Sequence, residues 1–194
     1  MLYDYTATKP SENYKLMSQT IIPRPIAWIV TEDDGVVNIA PFSYFTPLSS
    51  SPPTLIVSIG HKSDGTPKDT LFNIRKTEKC TICMVDPESL SLMDRTSAEL
   101  PKGVSEAEKY GIELKEIEEG FPPAVAGTPS ALFCRFYKEV DLPDSRTVPI
   151  ILEIVKQFVD DRYIVDEAGL KISFEPIGRV GRSYILPGNR VYPD

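Results

Sequence analysis

Short apolar runs dominate this chain, alternating with polar positions at the two-residue period of a strand and interrupted by proline, glycine or aspartate. Pro25 to Thr31 is apolar on both faces, with Ile26, Trp28 and Val30 on one and Ala27 and Ile29 on the other. Such a run predicts a strand covered on both sides. In Leu55 to Ile59 the alternation predicts Leu55, Val57 and Ile59 inward and Ile56 and Ser58 opposite. Ala131 to Val140 and Val148 to Val159 predict two longer strands, the second ending in a turn begun by Asp160-Asp161. Asp166 to Gly169 predicts a hairpin tip, followed by a short strand over Ile172 to Phe174.

Helical spacing is confined to fewer places. Asp69 to Thr77 predicts a short helix with Leu71 and Ile74 facing the core at the i, i+3 spacing. Glu88 to Leu100 and Ser105 to Tyr110 are two further helical segments, separated by the breaker Pro101-Lys102-Gly103. Residues 1–20 read as a polar arm with a short helical turn, Ser11 as its N-cap and Glu12 as a first-turn acid. Asn38 to Phe45, with Pro41 at its centre, reads as a loop, because proline cannot donate to a strand ladder. Strands, then helices, then strands predict an α+β, mostly β barrel rather than alternating βαβ units.

Composition adjusts this picture only slightly. At 194 residues, with no internal repeat, one domain over 1–194 is expected, its N-terminal arm taking residues 1–14. Eighteen prolines, roughly twice the usual ~5% share, favour short strands and stiff turns, clustering at Pro23 and Pro25, Pro52-Pro53, Pro122-Pro123, Pro187 and Pro193. A net charge of −7 argues against a nucleic-acid surface, which needs a basic stripe. No apolar run approaches the ~18 residues of a membrane span, and Met1-Leu2-Tyr3-Asp4 does not begin a signal peptide, so a cytoplasmic location is expected.

Cys80 and Cys83 spell C-x-x-C within a strand-like context. Residues three apart on a strand face opposite ways, so they read as two core residues and not as a thiol redox or zinc pair. The single His61 has no evident triad partner, and no metal site is expected.

Four pieces carry candidate chemistry. Two prolines hold Arg24 extended, aiming its guanidinium either at a phosphate or ring carbonyl or at a surface salt bridge. Asn38 to Phe45 offers an amide, a hydroxyl and three aromatics, suited to a flat hydrogen-bonding ligand or to a proline bulge packed with core aromatics. Lys68-Asp69-Thr70 opens a helix and could hold a phosphate through the unpaired N-terminal amides, or could simply be a capped helix end. There Asp69, as N-cap, would use donors itself and repel an anion. Pro176 to Tyr184, with two glycines and two arginines, suits an anion-binding turn or a dimer contact.

Taken in order, Pro23 to Trp28, Asn38 to Phe45, Ser51-Pro52-Pro53, Ser58-Ile59-Gly60, Lys68 to Leu71, Asn73-Ile74 and Pro176 to Tyr184 resemble successive blocks of the flavin reductase-like family. The likeness covers about residues 15–185. It implies a six-stranded split β-barrel, usually a homodimer, with one FMN near each subunit interface. It also implies Asn38, Ala40, Pro41, Phe42 and Ser43 along the isoalloxazine, Ser58 and Ile59 beside the ribityl chain, and Lys68, Asp69 and Thr70 at the phosphate, with Arg24 and Tyr184 as further contributors. The activity implied is electron transfer from NAD(P)H through FMN to free flavin or another acceptor. Two alternatives are a non-catalytic FMN carrier like the flavoredoxins and a split-barrel module, with haem or no cofactor, that acts in protein association. Two departures stand out: Val148 to Leu152 lacks the late-strand histidine of many reductases in the family, and a common Gly-Gly pair is here Gly181-Arg182.

Overall fold

The computed structural model describes residues 1–186 and 188, and the expected punctuation at Pro187 and Pro193 lies outside them. Helix α1 (Pro10–Thr20) is followed by strands β1 (Ala27–Asp33), β2 (Val36–Phe42), β3 (Phe45–Ser50) and β4 (Pro53–Gly60). Next come α2 (Asp69–Thr77), β5 (Lys79–Cys83), α3 (Leu90–Arg95), α4 (Glu106–Tyr110), and the short β6 (Leu114–Lys115) and β7 (Ala124–Val125). The chain continues through β8 (Ser130–Glu139), β9 (Thr147–Val159), β10 (Ile164–Asp166), β11 (Lys171–Ile172), β12 (Gly178–Val180) and β13 (Ser183–Ile185). No helix among the described residues is long and apolar enough to cross a membrane.

Seven of these strands form one antiparallel sheet in the order β2-β1-β5-β8-β9-β4-β3. Its two edge strands are consecutive in the chain, joined through Ser43 and Tyr44. The Ser58 N–H, on β4, donates to the Tyr44 carbonyl at 2.9 Å and carries the β3–β4 pairing one step beyond Phe45 and Val57, into that corner. The expected six strands are thus seven, and the expected loop over Asn38 to Phe45 is strand on both sides of a two-residue corner. Pro41 is tolerated because β2 has a neighbour on one side only. It pairs with Trp28 of β1 and needs no donor on its outer side.

Two apolar clusters lie on opposite faces of the sheet. The inner one gathers Ala27, Ile29, Leu55, Val57, Ile59, Ile82, Ile150 and Leu152, and α2 adds Leu71 and Ile74. The outer one packs Ile26, Trp28, Val30, Ile39 and Phe133 against Met93 of α3 and Ala107 of α4. The two-sided apolar pattern of β1 is therefore used in full, each face entering a different cluster. Cys80 falls in the inner cluster and Cys83 in the outer one, as expected of residues three apart on a strand. Cys80 stands opposite Cys134 of β8, and its hydrogen bond with that thiol, followed by burial, pushes it well above the ordinary range.

Helix boundaries depart from the sequence reading at two points. Helix α1 runs for eleven residues, longer than one turn, and its N-cap is Lys9. Pro10 occupies the first helical position, where its missing N–H costs nothing, and Glu12 reaches back to accept the Lys9 N–H at 2.8 Å. Ser11 therefore lies inside the helix. The expected helix over Glu88 to Leu100 shortens to Leu90–Arg95, because Asp86 and Ser89 close a turn before it through a 2.9 Å Ser89 N–H to Asp86 bond.

Candidate functional site

The floor of the site is the outer side of β2. Two adjoining hollows share Pro41 and Ser97 as walls and together form a groove along this edge strand. One end is lined by Asn38, Lys68, Asp69 and Thr70, and the other by Phe42, Ser43, Tyr14, Arg179 and Tyr184. The opposite wall comes from the end of α3 and the segment after it, Thr96 to Leu100. That wall is anchored twice. The fully buried Trp28 donates its indole N–H to Thr96 Oγ1 at 2.9 Å, and Glu99 accepts from Ser63 at 3.2 Å.

At the first end, Lys68 is the N-cap of α2 and no side chain caps the helix. The N-terminal amides and the positive dipole end are left for a ligand. Asp69 does not act as the N-cap expected from sequence. It is the first helical residue, and its carboxylate is paired with Lys62 at 2.8 Å, which offsets its repulsion of an anion. Lys68 makes no ion pair among the described residues, and its ammonium lies 5.7 Å from the centre of the Phe42 ring.

A relay of buried polar groups joins the two halves of the site. Asn38 Nδ2 donates to Thr70 Oγ1 at 2.9 Å and to Thr31 Oγ1 at 3.4 Å, and Asn73 Nδ2 donates to Thr31 Oγ1 at 3.0 Å. Asn38 on β2 and Thr70 on α2, placed 32 residues apart in the chain, are thus directly bonded. Buried polar groups are costly unless paired, so this relay fixes the helix start against the strand.

Glu106 was not a candidate in the sequence. It is buried, lines the first end, and accepts the outward N–H of Ile39 at 2.8 Å, occupying the free side of the edge strand. Burial first, with help from nearby Asp69, raises its carboxyl above the ordinary value of 4.5, against the opposing Ile39 bond. A carboxyl raised in the folded state contributes stability below its unfolded value, and this is lost as pH rises through the folded one. Glu106→Gln should therefore melt no lower than wild type at pH 7, and any advantage should narrow as pH falls toward 5. Thermal melts across that range check this, and a lower melting temperature for the variant at pH 7 would refute it. Sequence alone could not single out this glutamate, because its partner is a backbone amide 67 positions away.

At the second end, Tyr184 Oη donates to Asp94 Oδ1 at 2.5 Å, and the Arg179 guanidinium carbon lies 4.4 Å from the centre of its ring. Burial, then the Asp94 bond, pushes the Tyr184 phenol up to about 12, so it remains a donor at neutral pH. Arg179 lines the groove too, although only Tyr184 of its block was a site candidate in the sequence.

Three expected site residues stand apart from the groove. Ile59 is fully buried in the inner cluster, and Ser58 lies in mid-strand opposite Pro149 of β9. Arg24 lines a separate hollow behind Ser43, its Nη1 donating to the Ser18 carbonyl at 2.5 Å. It also forms a bridge with Arg179, which docks the C-terminal block beside it. His61 bonds the Arg146 carbonyl at 3.1 Å and is not part of the groove lining.

The chain is 32% identical over 185 residues to an uncharacterized protein of Deinococcus radiodurans, covering 93% of this chain and 81% of that one. Its fold superposes on nitrilotriacetate monooxygenase component B from Bacillus cereus with a TM-score of 0.91 and 26% identity, covering 100% and 98% of the two chains. Against 2-nitrobenzoate 2-nitroreductase of Pseudomonas fluorescens the TM-score is 0.89 at 28% identity, covering 100% and 95%. A family model, the flavin reductase like domain, matches residues 17–167, and with most of its length so matched this chain belongs to that family.

Proposed function

We propose that this protein is an FMN-binding oxidoreductase of the flavin reductase type, passing electrons from NAD(P)H through the bound flavin to free flavin or another acceptor. One observation carries the reading: a single groove has an uncapped helix start, with a lysine that makes no ion pair among the described residues, at one end and an aromatic, hydroxyl-bearing strand edge along its floor. The donor set suits the cofactor. The α2 amides, Lys68 and the Thr70 hydroxyl would take the phosphate, while Asn38, Ala40, Pro41, Phe42 and Ser43 would line the ring. Asp69 would act through its pairing with Lys62. Tyr184, its phenol proton already given to Asp94, would offer its ring at the far end, and Ser58, Ile59 and Arg24 would support these groups from behind. When bound, FMN supplies the hydride-accepting and electron-passing chemistry. The chain's own part is to grip the phosphate, hold the ring edge against β2 and cover it with apolar walls. A homodimer in the cytoplasm, with small-molecule donor and acceptor, belongs to the same proposal.

A non-catalytic electron carrier is the second reading. It is favoured by one observation: His61, the chain's single histidine, is spent on Arg146 and is not part of the groove lining. Anaerobic addition of NADH or NADPH to the FMN-loaded protein separates the two. Bleaching of the flavin band at turnover rates is the expected result. Reduction by dithionite alone would establish the carrier, and failure to retain FMN on reconstitution would overturn both.

A further inference from the structure

Behind Ser43, on the side away from the groove, lies a cavity of about 420 Å³, within the size range of small-molecule sites. Met17, Ile21, Pro23, Pro25, Tyr44 and Phe45 make most of its wall apolar. The charged member of that wall is Arg24, which is 6% exposed. Every acceptor around this guanidinium is neutral: the carbonyls of Ser18 and Ile21 at 2.5 and 3.4 Å, and the Ser43 hydroxyl at 3.5 Å. Its Nη2 is buried and has no acceptor, and no carboxylate pairs with it among the described residues. The Tyr44 ring, 5.8 Å from the guanidinium carbon, covers one side of it.

A buried guanidinium without a counter-charge is costly, and folded proteins keep such a group where an anion completes it. The chemistry required of an occupant is therefore specific. It needs one negative charge to meet Arg24 and an apolar body to fill the hollow made by Met17, Ile21 and Phe45. Phosphates and sugars would meet too few polar partners on these walls.

We infer that this cavity is a binding site for a small apolar carboxylate, with Arg24 as its counter-charge. The inference does not depend on the flavin. That the occupant would lie beside the flavin ring, across Ser43, does rest on the function proposed above.

Isothermal titration of the full-length protein, with and without FMN, tests it using benzoate and its neutral isostere benzamide. Benzoate should bind at least tenfold more tightly than benzamide in both states. Arg24→Met should reduce benzoate to the benzamide level, with circular dichroism confirming that the variant folds. Ile21→Trp, which narrows the cavity without touching the groove, should abolish benzoate binding and leave FMN binding intact. Absence of benzoate binding to wild type, equal binding of the two probes, or full benzoate binding to Ile21→Trp would each overturn the proposal. A cavity covered by a second copy of the chain would show as loss of benzoate binding in a protein that sediments as a dimer, and would overturn it as well. Failure of FMN to bind, with benzoate selectivity retained, would sink the flavin reading alone.

Discussion

Trp28→Ala should destabilise the protein by about 3–5 kcal/mol, the usual cost of emptying a fully buried aromatic site. Trp28 is wholly inaccessible, sits in the outer cluster against Met93, and donates its indole N–H to Thr96. The substitution removes all three contributions at once. Against a typical total of about 5–15 kcal/mol the loss is a large fraction, and in a chain of this size it corresponds to roughly 6–20 °C in melting temperature. Urea titration measures it directly. Trp28→Phe, which keeps much of the ring but not the N–H, should cost markedly less. A loss below about 1 kcal/mol for the alanine variant would show that the outer cluster recloses around the gap. Since Thr96 begins the wall of the groove, flavin affinity should fall in the alanine variant even where it remains folded.

The second large effect is on binding. Lys68→Ala should weaken FMN affinity by about 1.5–3 kcal/mol, the range for a hydrogen bond to a charged group, or roughly 10- to 150-fold. Its ammonium has no ion pair among the described residues, so the melting temperature of the FMN-free protein should stay nearly unchanged. Fluorescence titration with FMN and with riboflavin separates the phosphate from the ring. Riboflavin, lacking the phosphate, should bind wild type and variant alike. An equal loss for both ligands would place Lys68 on the ring side, through Phe42, and unchanged FMN affinity would end the phosphate assignment.

The parts of the fold that were legible in the sequence are those where side-chain period alone decides the outcome. The two faces of β1, the inward set of β4, and the span of α2 from Asp69 to Thr77 all follow from spacing, and the structure keeps them. Pro41 misled because a proline excludes a central strand but not an edge, and edge position is a property of the whole sheet. Asp69 misled for a similar reason. A one-residue shift of the helix start moves it from cap to first turn, and Lys62 seven residues before it supplies the missing charge. Glu106 and Arg179 lie on blocks whose relation to β2 is set only by tertiary packing, so no local pattern could place them at the groove.

The relay from Asn38 to Thr70 has a kinetic consequence. Because strand edge and helix start are bonded to each other before any ligand arrives, association need not wait for two halves of a site to find one another. Encounter should then proceed in one phase, without the slow step that a rearrangement would add. Differences in affinity among variants of this groove would be written in how long the ligand stays, not in how fast it comes.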